Sequence, residues 1–424
     1  MYQLNKIMGC VTACVLAFTT PVFSGDNNLS AAVTKIWQVG DGVGRESIEG
    51  LVIRQQGTQS ALGVMRAAIS PKRDLDLALV TMTTSGNPLR DELVVKNQGD
   101  SGLAIGAKLR WLSSLSDGGV VMVQRDERST MTRVSETGKT LWAKTVGDLG
   151  FRVTGGSTIH EDTSLFVVGY TTYQPATRPT DQAGNPTAIT FATDGVLAKV
   201  AADGQVLWRK TYDHANQKDY LTGVMPAPGG GLILIGYTSA TRDKFGMGPS
   251  SVWLLECDEK GEVRNERVFP GRSPSACALG EMGIVISYDS QSLGIVETVL
   301  KSVTWKLEDR WEVPTKNTGL WTDEPLLVSV PGRDAVALVV QEKGQAGPTK
   351  GGAVLLVCNG AGKWVQRTEI PDSTGFEHAK LVCSVNSIFV SLVYASIGTA
   401  SSKETSTARL YAVSLGDANT EAQR

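Results

Sequence analysis

The fold is decided by two stretches of one pattern, ETGKTLWAKTVGD from Glu136 to Asp148 and ADGQVLWRKTYD from Ala202 to Asp213. Each runs from a Gly-bearing turn through an apolar strand with Trp to an acidic residue. A decayed copy, EKGEVRNERVFPG, spans Glu259 to Gly271, and weaker copies contain Trp37, Leu93, Trp311 and Trp364. The copies return about every 50 to 60 residues, the spacing of stacked supersecondary units rather than of separate domains. Around each copy lie three further apolar runs. Between Phe151 and Tyr212 they read FRVTGGSTI, SLFVVGYTT and GVLAKVA before the fourth, QVLWRKTY. Runs such as Leu232-Ile233-Leu234-Ile235 are apolar without alternation, as in strands covered on both faces.

Four antiparallel strands per unit, repeated radially, make a β-propeller. The fourth strands are those with Trp37, Leu93, Trp142, Trp208, Arg264, Trp311 and Trp364, which predicts an all-β, seven-bladed propeller in one domain, residues 25–424, with six or eight blades as alternatives because Asp41 to Leu62 is poorly patterned. The first of them has no three strands before it, and the C-terminal unit lacks a fourth. The expected solution is that Ala32 to Gly40 pairs with the C-terminal blade and closes the ring, hiding edges that would otherwise template aggregation.

Residues 1–24 read as a signal peptide. Lys6 precedes an apolar stretch from Ile7 to Thr20, and cleavage is expected after Ser24. Val11-Thr12-Ala13-Cys14 has lipobox character, but the apolar run before Cys14 is short. The run also falls short of the roughly 20 residues of a membrane span. A periplasmic or secreted protein follows. The balance of 41 basic against 43 acidic residues gives no electrostatic case for nucleic acid or an anionic membrane.

TGKTLW from Thr137 to Trp142, DGQVLW from Asp203 to Trp208 and GLILIGYTS from Gly231 to Ser239 resemble bacterial exported propellers with quinoprotein-like (PQQ-like) repeats. The resemblance implies the propeller fold. Quinoprotein dehydrogenases of this type carry a quinone and a calcium site, and no motif of this chain takes those ligands, so no cofactor is expected. Other relatives use the repeat as a non-catalytic scaffold, leaving activity open.

Beyond residue 24 the cysteines are Cys257, Cys277, Cys358 and Cys383. Cys257 and Cys358 end third strands, and Cys277 and Cys383 fall in the first strands of the following units. Equivalent placement predicts bridges Cys257–Cys277 and Cys358–Cys383, with free buried thiols as the alternative. No close ligand spacing predicts a metal site.

Antiparallel order sends second-to-third and fourth-to-first connections to one face, where most long segments lie. Loops on a rigid scaffold usually carry recognition, so this face is expected to bind a protein or glycan of the cell envelope. The candidate contacts are Tyr173, Arg178, Asp213, His214, Arg242, Lys244, Phe245 and Trp321. An acidic residue recurs after the fourth strand at Asp41, Asp100, Asp148, Asp213 and Asp372. Such a ring of carboxylates binds a cation, works as acid and base, or caps turns. There are three histidines and no G-x-S-x-G, H-E-x-x-H or EF-hand pattern, so no catalytic residue is assigned. The expected function is a non-catalytic binding or scaffold protein. The alternative is an exported enzyme (a lyase, glycosidase or quinone-dependent dehydrogenase) using carboxylates at the channel mouth.

Overall fold

The computed structural model describes residues 32–39, 45–56, 59–69, 74–99, 109–124, 129–158, 164–173, 192–215, 217–239, 250–292, 295–318, 327–343, 350–396 and 405–415. The predicted signal peptide, most of the long loops and the C-terminal tail lie outside them. Among the described residues no helix is long and apolar enough to cross a membrane.

The strands follow the repeat. β1 (Val33–Val39) precedes β2 (Arg45–Gln56), β3 (Gln59–Ile69), β4 (Asp74–Met82) and β5 (Pro88–Gly99). Next come β6 (Leu109–Ser114), β7 (Val120–Gln124), β8 (Met131–Val134) and β9 (Thr140–Lys144), then one short helix, α1 (Val146–Leu149). The third meander is β10 (Arg152–Thr158), β11 (Leu165–Tyr173), β12 (Ala192–Val200) and β13 (Val206–Tyr212). The fourth is β14 (Lys218–Pro226), β15 (Leu232–Ser239), β16 (Ser250–Cys257) and β17 (Val263–Pro270). After them run β18 (Arg272–Ala278), β19 (Ile284–Ser292), β20 (Ile295–Val303) and β21 (Asp309–Thr318). β22 (Leu327–Ser329), β23 (Ala335–Lys343), β24 (Lys350–Asn359) and β25 (Trp364–Glu369) follow, before β26 (His378–Cys383), β27 (Ser387–Ser396) and β28 (Thr405–Ser414).

The chain is an all-β propeller built of four-stranded antiparallel blades. Among the described residues hydrogen bonding makes five sheets, where the sequence pattern predicts seven blades. β6–β9, β18–β21 and β22–β25 are separate four-stranded sheets. The two larger sheets have eight strands each because a single parallel pair joins two meanders: Thr193 with Lys218 between β12 and β14, and Arg45 with Ser406 between β2 and β28. β1 pairs antiparallel with β28, Val33 opposite Val413 and Val39 opposite Ala408.

The core lies between the meanders rather than within them. One cluster joins Phe166, Val168 and Leu197 to Leu221, Leu234, Trp253 and Leu255, and the next joins Ile233, Ile235 and Leu254 to Ile284 and Ile286. A strand such as β15 therefore buries both faces, which explains its unbroken apolar run.

The repeated Gly-bearing turn has one form throughout. In it Gly138, Gly204, Gly261 and Gly362 have φ between 77 and 84°, and each Gly N–H returns to the carbonyl three residues back. This is a turn closed by a left-handed residue and a bulge, the form that suits a three-residue hairpin. The turn is gripped from the preceding meander. Trp142 Nε1 donates to the Ala202 carbonyl at 2.8 Å, Tyr212 Oη to that of Gly261 at 2.8 Å, and Trp311 Nε1 to that of Gly360 at 2.9 Å. Arg267 does the same to Leu307.

The predicted bridges Cys257–Cys277 and Cys358–Cys383 are absent, and all four cysteines are free thiols. The reason is position: Cys257 lies in the cluster with Trp253, Cys358 in another with Cys277 against it, and Cys383 in a third. A third strand stands two strand spacings, about 10 Å, from its own first strand, and the partner belongs to the next meander, beyond the reach of a disulfide. Burial pushes the thiols of Cys257, Cys358 and Cys383 up to about 12, and that of Cys277 higher still. These thiols are unreactive packing groups.

The grip is testable at Gly204, where an added Cβ would lie 2.9 Å from Lys144 Cε and 3.0 Å from Trp142 Cδ2. Gly229 has the same backbone sign, φ 83°, but nothing within 4 Å. In urea denaturation Gly229→Ala should lose about 1 kcal/mol, the left-handed penalty alone. Gly204→Ala should lose about 2–3 kcal/mol, because the indole hydrogen bond is displaced as well. Equal losses at the two positions would show that the indole contact contributes nothing.

Candidate functional site

Antiparallel order places the ends of second and fourth strands beside the starts of first and third strands. Four elements of the third and fourth meanders thus meet on the long-loop face: Tyr173 ends β11, Asp194 lies near the start of β12, Asp213 follows β13 and Asp219 is the second residue of β14. Carboxylate oxygens of Asp194, Asp213 and Asp219 all lie within 4.8 Å of one another. The parallel pair Thr193–Lys218 draws β12 against β14 directly behind them.

Asp219 has no exposed surface. One of its oxygens, Oδ2, accepts the backbone N–H of His214 at 2.6 Å, while Oδ1 has no hydrogen-bond partner among the described residues. Burial, opposed by the His214 N–H and the Thr238 hydroxyl and reinforced by the charge of Asp213, pushes its carboxyl up to about 6. Asp194 is raised for the same first reason, with a hydrogen bond from Tyr173 pulling against it and Asp213 adding to it. Its Oδ1 also lacks a partner. The Tyr173 phenol is raised by burial and then by the neighbouring Asp194 charge. The group is thus three crowded carboxylates, two of them raised mainly by burial.

Beside it runs a cavity of about 870 Å³ lined mostly by first strands, among them Arg110 and Trp111 of β6, Thr222 to Met225 of β14 and Arg272 at the start of β18. Three tyrosines enter the lining from strand ends on the long-loop face. Tyr170 meets Tyr220 edge-on at 4.8 Å, and Tyr220 stacks on Tyr237 at 4.9 Å and 18°. The Tyr237 hydroxyl is pushed up to about 12 by burial and its tyrosine neighbours, against the pull of Arg110. Close by, the first strands bulge between Val153 and Gly155 in β10 and between Leu221 and Gly223 in β14. Just before each bulge a first-strand carbonyl presses on the residue before the second-strand tyrosine: a Cβ at Gly169 would sit 1.7 Å from the Arg152 oxygen, and one at Gly236 2.0 Å from that of Tyr220. Only glycine fits there.

Of the residues singled out from sequence, Tyr173 and Asp213 belong to the acidic group, and His214 contributes its backbone N–H. The His214 ring turns to Glu266, with Nδ1 2.8 Å from Oε1, an oxygen that also accepts Trp253 Nε1–H at 2.6 Å. Arg178, Arg242, Lys244, Phe245 and Trp321 lie outside the described residues, as do Asp41 and Asp100. Asp148 caps a helix: its Oδ2 accepts the Thr145 backbone N–H at 2.7 Å, which holds its carboxyl below the usual range. Asp372 offers only its backbone carbonyl, to Tyr394 at 2.9 Å and Arg409 at 2.8 Å. Asp194, Asp219 and the three tyrosines were not singled out. A signal for the tyrosines exists in the repeated Gly-Tyr-Thr of Gly169 to Thr171 and Gly236 to Thr238.

No protein family matches the chain, and no curated protein does. The fold is similar to a protein of unknown function from Bacteroides caccae, at 11% identity and TM-score 0.42, covering 70% of this chain and 92% of that one. It is similar too to a gluconolactonase from Xanthomonas campestris (13% identity, TM-score 0.34, 73% and 86% covered). A third similar structure is BBS1N in complex with ARL6DN (8% identity, TM-score 0.45, 90% and 97% covered). Likeness at this level says nothing of ligand or activity.

Asp219 carries a pH signature. Its folded value, about 6, lies above the ordinary 3.8, so the folded protein binds the proton more tightly than the unfolded chain does. The penalty is complete above about pH 6 and disappears as pH falls towards 4. In chelator-containing buffer at pH 7.5, Asp219→Asn, which keeps an acceptor for the His214 N–H, should stabilise the protein by up to about 3 kcal/mol. The gain should vanish near pH 4. A destabilised variant at pH 7.5 would mean that the carboxylate is well solvated.

Proposed function

We propose that this chain is an exported, non-catalytic binding β-propeller of the bacterial cell envelope that takes the end of a glycan, or a projecting protein segment, into the cavity on its long-loop face. The observation that carries the reading is the Tyr170–Tyr220–Tyr237 stack in the wall of the roughly 870 Å³ cavity. That volume is in the range of cavities that enclose small ligands. Tyrosine offers flat apolar area with little rotamer freedom to lose and a hydroxyl for hydrogen bonding, and Arg110 and Arg272 add charged donors to the lining. Glycan is the favoured ligand, because aromatic faces with a few polar groups suit sugar rings. Export rests on the leader from Lys6 to Ser24.

The test is a pull-down from envelope extract and a glycan array, both with the chain from Gly25 onward. Tyr220→Ala should weaken binding to the recovered ligand at least tenfold, as expected for an aromatic anchor. Leu141→Ala, on an exposed fourth strand, should not. Unchanged affinity in Tyr220→Ala would remove the cavity from the reading.

A second reading is favoured by one observation, the raised carboxyl of Asp219 beside Asp194 and Asp213, which is the disposition of an acid and base pair. It requires that the recovered glycan be cleaved, and that Asp219→Asn abolish cleavage while binding persists.

We further propose that the two eight-stranded sheets each comprise two blades, making seven in a ring closed by β1 on β28. The β1 register against β28 and the packing of Ile36, Trp37 and Val39 on the first core cluster support this. A chain beginning at Gly40 should lose about 5 °C of melting temperature and its single sharp transition, from the exposure of those three side chains. A truncated chain that melts like the intact one would leave the ring open.

A further inference from the structure

We infer that Asp194, Asp213 and Asp219 form a binding site for one hard divalent cation of the calcium class. Three carboxylates from three chain segments offer oxygens within 4.8 Å of one another. Calcium–oxygen distances of about 2.3–2.6 Å allow two ligands of one ion to stand no more than about 5 Å apart, so this set fits within one coordination sphere. The donors are all oxygen, which suits calcium or magnesium better than zinc. The second observation is Asp219 itself. It has no exposed surface, and among the described residues its Oδ1 has no hydrogen-bond partner. Asp194 Oδ1 is likewise buried and without one. A buried carboxylate is ordinarily neutralised by a basic side chain or held by donors on both oxygens. Here, among the described residues, Asp219 accepts the His214 backbone N–H and Asp194 the Tyr173 hydroxyl.

A cation at this point would tie β12, the connection after β13 and the start of β14 into one rigid edge. The site is next to the cavity, since Tyr220 follows Asp219 in β14. The inference goes beyond the binding function proposed above and does not depend on it.

The test uses the chain from Gly25 onward, stripped with a chelator. Isothermal titration with calcium chloride should show one site. Melting temperature should rise by about 3 °C at a calcium concentration a hundred times the dissociation constant, with a smaller rise for magnesium. Asp213 is the exposed member of the group, so Asp213→Asn should fold normally and bind calcium at least tenfold more weakly. Asp194→Asn is the second variant, expected to act in the same direction. Absence of calcium-dependent heat and melting shift in the unaltered protein would overturn the inference. So would a response that both variants retain in full, since the ion would then sit elsewhere.

Discussion

The hydrogen bond from a fourth strand to the backbone of the next turn is the constraint on which the rest of this molecule depends. Blade-to-blade packing is otherwise apolar and non-directional, and apolar surfaces alone would permit one blade to slide over another. Trp142, Tyr212, Arg267 and Trp311 each donate to a carbonyl in the third-to-fourth turn of the following meander, at four successive junctions. The turn must therefore present its carbonyl at a set place. That requirement explains why its form is repeated even where Leu307, at φ 62°, stands in the place of glycine. Leu307 is tolerated because its side chain is buried in the cluster with Ile284 and Val303.

With one face of the propeller held by these turns, the opposite face is free to differ from blade to blade. Its geometry comes from the first strands. A bulge places Arg110 in the lining, and the carbonyls of Arg152 and Tyr220 press on Gly169 and Gly236, the residues before Tyr170 and Tyr237 of the stack. The acidic group is produced at the same junction. The parallel pair Thr193–Lys218 draws β12 against β14, and Asp194 and Asp219, the next residue in each strand, come together with Asp213. The carboxylates thus come from one close approach of blades, whereas the cavity is lined by first strands of several meanders. Burial does the rest, raising Asp219 by removing water that would otherwise solvate its charge.

Sequence reading went furthest where a residue's role is local. The turns at Gly138, Gly204 and Gly362 were legible because a left-handed position selects glycine whatever the surroundings. The strands were legible because two-sided burial leaves unbroken apolar runs. Antiparallel order alone also sorts the connections between the two faces, and it puts Tyr173, Asp213 and His214 on the same one. Sequence reading failed where the role depends on distance across the fold. The cysteines occupy equivalent places in their units, yet equivalence is not proximity, and the two members of each predicted pair lie in different layers of the core. His214 stands beside Asp213 in sequence, while its ring pairs with Glu266, a residue of β17.

By itself, then, the sequence determined the β-propeller class, the strand plan, the turn chemistry and the sorting of connections between the two faces. Each of these follows from periodicity or backbone conformation within a single unit. Tertiary structure decided how many sheets the strands form, which aspartates meet and which tyrosines stack. A lone parallel pair is enough to merge two meanders, and such a pair has no side-chain signature. Asp194 and Asp219 are separated by an entire strand and a connection, and nothing in their neighbours marks them as partners. Electrostatics acts through space, so a carboxylate cluster becomes visible only after the chain has been folded around it.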